Sequence, residues 1–142
     1  FNKIQSMKPK DWNYEFCDYV YEEIKENKIF ITNLGKCTQL DARPLSNEIL
    51  KKYLDLLLKE LDIVKPKIII TFGNQVSSII LNKKISVSSN RKECHYLKIN
   101  NNKYKVYPVY YPVGNGIFNM DKAIEDIKWI IENEIENIKK VG

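Results

Sequence analysis

A chain of 142 residues, 44% hydrophobic and 29% charged, has the length and balance of one globular domain that buries a core of its own. It holds no apolar run near the roughly 18–20 residues that span a bilayer and shows no leader-like pattern, so an intracellular role away from membranes is expected. The net charge of +5 suits polyanionic partners such as nucleic acid, although a lysine-rich composition produces the same charge on its own.

From Asp11 to about Asn27 the apolar residues Trp12, Phe16, Tyr19, Val20 and Ile24 recur at helical spacing, with Asp11 placed as N-cap. Ile29 to Thr32 reads as a short buried strand that enters a loop at Asn33, Leu34 and Gly35. Pro44, Ser46 and Glu48 announce a helix over 46–63 with a broad leucine face. Ile68, Ile69 and Ile70 form the continuous apolar run of a parallel strand covered on both faces, here expected over 67–72 and inside the sheet. Gly73 and Asn74 turn that strand into a helix over 74–82. Alternation on both sides of Asn100, Asn101 and Asn102 predicts a hairpin whose second arm, 104–110, leads to Tyr111. An amphipathic helix from about Met120 to Lys139 ends the chain. Its acidic residues Glu125, Asp126, Glu132, Glu134 and Glu136 read as a solvated face.

No repeat or linker divides these elements, so a single domain over 1–142 is expected. Alternating strands and helices with parallel crossovers predict a three-layer α/β/α sandwich with a mostly parallel central sheet. Ligands in such sheets bind beyond the carboxyl ends of the strands. That directs attention to the segments starting at Asn33, Gly73 and Tyr111. Because the chain opens at Phe1 rather than a methionine, it reads as starting within something longer.

Three segments in this order carry a resemblance: Thr32-Asn33-Leu34-Gly35-Lys36-Cys37 followed by Arg43-Pro44, then "PKIIITFGNQ", then a strand ending Tyr111-Pro112 before a glycine loop. Together they resemble the uracil-DNA glycosylase superfamily, most closely its prokaryotic family 4 branch, from about Ile29 to Ile131. The resemblance implies the fold of that superfamily, DNA (single- or double-stranded) as partner, and hydrolysis of the N-glycosidic bond of uracil or a related damaged base. The family opens with a strand and a Gly-Glu-x-Pro-Gly-like loop, and no such segment precedes Asp11; either a stretch upstream of Phe1 supplies it or the gap is filled another way. The family's His-Pro-Ser histidine falls on Tyr111. Family 4 holds an iron–sulfur cluster with four cysteines, and of Cys17, Cys37 and Cys94 only Cys37 matches one of them. Neither cluster, other cofactor nor catalytic metal is therefore expected.

At the level of residues, an asparagine side chain both donates and accepts, so Asn33 can read the edge of a flipped uracil; it can equally be a turn residue bonded to its own backbone. Tyr111 can donate a hydrogen bond to the departing base as the family histidine does, or simply cap the sheet. Pro112, Val113, Gly114 and Asn115 match the loop that glycosylases push against DNA: proline sets its exit, glycine permits close passage and Val113 can act as an apolar wedge. A plain strand-to-helix connection explains the same residues. Gly73 and Asn74 offer backbone N–H groups to phosphate, and Lys36 and Arg43 flank Asn33 as further phosphate contacts. Asp41 is the only carboxylate in that loop. His95 reads as a surface or edge residue, and Cys17 and Cys37 as small buried hydrophobes. Two other readings stay open. One is a non-catalytic descendant of the fold that binds nucleic acid or another partner; the other is a nucleotide-binding domain using Gly73 and Gly114.

Overall fold

In the computed structural model, which describes residues 9–40 and 43–136, the chain divides after Asn33 into two units. In the first, a 3-10 turn at Pro9–Asp11 precedes helix α1, Tyr14–Glu26. Asn13, not Asp11, is the N-cap, its Oδ1 accepting from the Phe16 N–H at 2.9 Å. The cap must stand in extended backbone immediately before the first turn, and Asp11 is inside the preceding turn. Phe16 is buried, edge-on to Trp12 at 5.2 Å between ring centres.

Helix α1 ends in a Schellman motif: Lys28 is left-handed (φ 54°), its N–H bonds Lys25 O, and the Ile29 N–H bonds Ile24 O. That turn redirects the chain at the residue where a strand was expected. Residues 29–32 join no ladder, and Ile29, Phe30 and Ile31 are 53%, 50% and 71% exposed. Without a paired neighbour, an apolar stretch of backbone leaves its polar groups to water and gains no strand.

The second unit starts at Leu34. Ser46 caps helix α2, Asn47–Lys52, as its sequence predicts. The expected single helix then breaks at Tyr53, whose N–H turns to Leu50 O, three residues back. Helix α3 follows as Leu54–Val64. Strand β1 is Ile68–Phe72 and helix α4 Asn74–Ile80; a 3-10 turn at Val87–Ser89 leads to strands β2, His95–Ile99, and β3, Asn102–Val109. Helix α5, Met120–Ile130, continues into a π turn at Ile131–Glu136.

The sheet order is β1-β3-β2. β1 runs parallel to β3, with Ile68 opposite Lys105 and Phe72 opposite Val109; β2 runs antiparallel, with His95 opposite Val106 and Ile99 opposite Asn102. The hairpin is as expected, turned by a left-handed Asn100. β2 reaches only to Val106, so Pro108, which lacks an N–H, occupies the stretch of β3 that among the described residues has β1 as its sole neighbour.

Alternation puts Ile69, Tyr104 and Val106 on one face, packed with Leu50, Leu57, Leu61, Ile79 and Ile80 of α2, α3 and α4. On the other face Ile68, Ile70, Tyr107 and Val109 pack with Ala123, Ile127 and Ile130 of α5. Fully burying a Leu, Ile or Val side chain in these layers contributes about 1.5–3 kcal/mol. The α/β/α layering expected from the isoleucine run is therefore present. Its strand, however, is not inside the sheet: among the described residues β1 pairs only with β3. Burial on both faces requires helices above and below, and says nothing about hydrogen-bonded neighbours to either side.

The last helix is not a wholly solvated acidic face. Asp126 is fully buried, accepting from Arg91 Nε at 3.0 Å on both oxygens, and Arg91 also reaches Glu125 at 2.8 Å. Lys92 donates to Glu125 at 2.6 Å and Lys105 pairs with Glu134. These contacts tie the 90–93 turn and β3 to the carboxylates of α5 and the π turn. Hydrogen bonds from Lys92 and then Arg91 hold the Glu125 carboxyl down to about 2, from an ordinary 4.5, and Lys105 likewise lowers that of Glu134. A depressed folded value stabilises above the ordinary value and is lost as pH falls toward the folded one. Glu125→Gln is thus expected to flatten the fall of thermal midpoint between about pH 4.5 and 2, measured against wild type by calorimetry.

Candidate functional site

Parallel pairing brings the carboxyl ends of β1 and β3 side by side. The Gly73 N–H extends the ladder by one bond, to Val109 O at 2.8 Å. Gly73 has φ +85°, where a side chain is strained, and a Cβ built there would stand 3.4 Å from Tyr111 Cβ. Beneath this turn Ser77 Oγ donates to Gly73 O at 2.7 Å and lies 2.8 Å from Thr71 Oγ1. Gly73 and Tyr111, singled out separately in the sequence, are therefore neighbours. Asn74 follows, its side-chain oxygen accepting from the Val87 N–H at 2.8 Å, so that oxygen anchors the chain after α4.

Tyr111 is 53% exposed at the mouth of this arrangement. Beyond Pro112, Val113 is extended, and a 3-10 turn over Gly114–Asn119, which includes Asn115, leads into α5. The two glycines serve different needs. Gly114 is left-handed (φ +56°) with open space around it; Gly116 is crowded, and a Cβ there would lie 2.0 Å from the carbonyl oxygen of Tyr111. Gly116→Ala must displace that carbonyl, with an expected overpacking cost of about 1–3 kcal/mol, while Gly114→Ala meets only the left-handed penalty of roughly 1–2 kcal/mol. Thermal melts of both variants, with amide shifts of 111–118, check this: a Gly116→Ala protein with wild-type shifts over that loop would contradict the contact.

The loop presents apolar side chains to solvent: Val113 is 45%, Ile117 50% and Phe118 91% exposed, beside Phe72 at 38%. Ile117 and Phe118 were not singled out in the sequence. Two large apolar residues between a glycine and a helix start are the signal that marks them.

Asn33 is exposed and ends the first unit. In the second, Lys36 donates to Glu60 of α3 at 2.8 Å, with both side chains largely covered. Arg43 is exposed, and Asp41 lies outside the described residues. His95, expected at a surface or edge, is on an edge strand yet buried, 6% exposed. Its Nδ1 is 2.8 Å from Lys83 Nζ, and burial followed by the Lys83 charge lowers its pKa. Its place opposite Val106, three residues before the end of β3, is away from Tyr111.

The cysteines do not fit a four-thiolate cluster. The chain has three; Cys37 is exposed, not buried as expected, and interacts with the Tyr53 hydroxyl beside α2 and α3, while Cys94 packs on the α5 face of the sheet. Among the described residues no three His, Cys, Asp or Glu side chains group as metal ligands, and no helix is long and apolar enough to cross a membrane.

A family profile described as the uracil DNA glycosylase superfamily matches residues 7–128. A type-4 uracil-DNA glycosylase of Sulfurisphaera tokodaii is 27% identical over 126 residues, covering 84% of this chain and 53% of that protein. The chain thus spans about half the length of this curated relative.

Proposed function

The chain belongs to the uracil-DNA glycosylase superfamily, and on that premise we propose that it binds single- or double-stranded DNA inside the cell and removes uracil or a related damaged base by hydrolysing the N-glycosidic bond, a step of base-excision repair. The observation that carries this reading is the meeting of Gly73 with Tyr111 at adjoining strand ends, followed directly by an exposed apolar loop. A base in a duplex must leave the stack to be reached, and an inserted side chain helps to hold the gap. Val113 is one such wedge; Phe118 and Ile117, more exposed, extend it.

In the reaction the bond from C1′ to the base nitrogen breaks, a C–O bond forms from water, and the base departs with the bonding electrons and takes up a proton. Negative charge grows on the departing base. The hydroxyl of Tyr111, a residue 53% exposed, can donate and stabilises it by a hydrogen bond. Asn33 reads the base with its amide, which offers one acceptor and two donors. Gly73, Asn74, Pro112, Gly114 and Asn115 approach the DNA backbone, and Arg43 meets phosphate. Lys36, a further phosphate contact in this reading, is held by Glu60 at 2.8 Å. The test is release of uracil from single- and double-stranded oligonucleotides, read as alkali-labile sites. No release by protein that still binds the oligonucleotide in a salt-dependent way would place this chain with a non-catalytic, DNA-binding descendant of the fold.

A further inference from the structure

Away from the strand ends, an open groove of about 660 Å³ runs between α2–α3 and α4, lined by Asn47, Lys51, Ser78, Asn82, Lys83 and Lys84 over a floor of Leu54 and Ile79. We propose that this groove is a second nucleic-acid contact, taking the backbone phosphates of a DNA strand as it leaves the strand-end face. The inference rests on the reading that DNA is the ligand, but not on catalysis.

The lysines are set by the way α4 ends. Asn82 is left-handed (φ 48°), its N–H bonds Ile79 O, and the Lys83 N–H bonds Ser78 O. This is a Schellman motif with asparagine at its left-handed position. The Ser78 hydroxyl then accepts from the Ile85 N–H at 2.9 Å, pinning the segment that carries Lys83 and Lys84 along the groove. Lys51 faces them from the last turn of α2.

Their surroundings differ from those of three lysines elsewhere in this unit. Lys36, Lys92 and Lys105 are each neutralised by a carboxylate, Glu60, Glu125 and Glu134. Among the described residues no carboxylate lines the groove. Lys83 Nζ instead lies 2.8 Å from His95 Nδ1, and an ammonium can only donate. A ring nitrogen that accepts from an ammonium carries no proton, so the imidazole is neutral: it orients Lys83 without cancelling its charge and leaves two of its N–H donors for an anion. Three ammonium groups beside uncharged Asn47, Asn82 and Ser78 make a concave positive surface suited to an extended polyanion.

The groove also begins in the right place. Gln75, in the first turn of α4 beside Gly73, donates to Asn47 Oδ1 at 2.9 Å and to Leu45 O at 3.0 Å. A strand whose base sits near Tyr111 therefore passes into the groove at Asn47 and runs along α4 to Lys83 and Lys84.

The experiment is anisotropy of a uracil-free, single-stranded oligothymidylate against salt, for wild type, Lys51→Gln/Lys83→Gln/Lys84→Gln, and Lys51→Gln/Lys84→Gln, which keeps the pair of Lys83 with His95. Expected are a loss of tenfold or more at low salt for the triple variant, an intermediate loss for the double, and a salt slope shallower by about 2 when three phosphate contacts are removed. Binding by both variants within twofold of wild type at unchanged slope overturns the groove, as does a wild type that fails to bind at low salt. The double variant keeps the result readable if the triple melts early. Uracil release is scored separately. A protein that binds through these lysines and releases no uracil retains the groove and loses the proposed activity; release with lysine-independent binding does the reverse.

Discussion

Asn33→Ala is expected to end uracil release, and Tyr111→Phe to slow it by about 10²–10³, the usual effect of removing one donor to a developing negative charge. Tyr111→Phe keeps the ring and deletes only the hydroxyl, so the fold should be unaffected at a site 53% exposed. Asn33 is likewise exposed, and its replacement removes acceptor and donors together. The pH–rate profile supplies an independent reading. The chain has one histidine, and His95 is buried against Lys83 rather than placed at the strand ends, so the profile should lack an ionisation of the reacting donor near histidine's ordinary ~6.5. Full activity in both variants removes these residues from the site. A strong limb near 6.5 would return the reaction to an imidazole and set the Tyr111 assignment aside.

The largest effect on stability is expected from Arg91→Met, about 3–5 kcal/mol and thus a fall in thermal midpoint of roughly 10 °C. Asp126 is fully buried, with both oxygens taken by Arg91 and Arg91 itself 29% exposed. Removing the guanidinium leaves a carboxylate in an apolar layer between α5 and the sheet with no compensating charge. The size of the loss comes from that stranded group more than from the ion pair itself. Arg91→Met/Asp126→Leu should therefore recover much of it. Lys92→Met, which removes only a half-buried partner of the exposed Glu125, should cost about 0–1 kcal/mol. Thermal and urea melts of the three proteins decide it; Arg91→Met no worse than Lys92→Met would mean that Asp126 is satisfied by something else.

Placement of Asp126 separates what was legible in the sequence from what was not. It stands in an acidic series, and its charge assigns it to water although helical spacing sets it on the face of Ala123 and Ile130; its burial depends on Arg91, 35 positions earlier and brought over by the hairpin. Lys36 meeting Glu60 and His95 meeting Lys83 belong to the same class. Each is a pairing of side chains that the chain order does not make adjacent.

By itself the sequence determined the features that local physics controls. The β-branched run at Ile68–Ile70, the asparagine turn at 100–102, the Ser46 cap and the change from strand to glycine at Gly73 and after Tyr111 each follow from backbone preference or from side chains within a few residues. The same local chemistry located the ends of β1 and β3 as the candidate site. The tertiary structure alone decided that residues 29–32 join no ladder, that β3 rather than β1 is central, that Tyr53 divides a helix, and that Gly116 is pressed against Tyr111 O. A strand exists only when another supplies its hydrogen bonds, and a close contact only when two separate segments are folded together. Those conditions are properties of pairs of segments, and no single window of sequence contains both members.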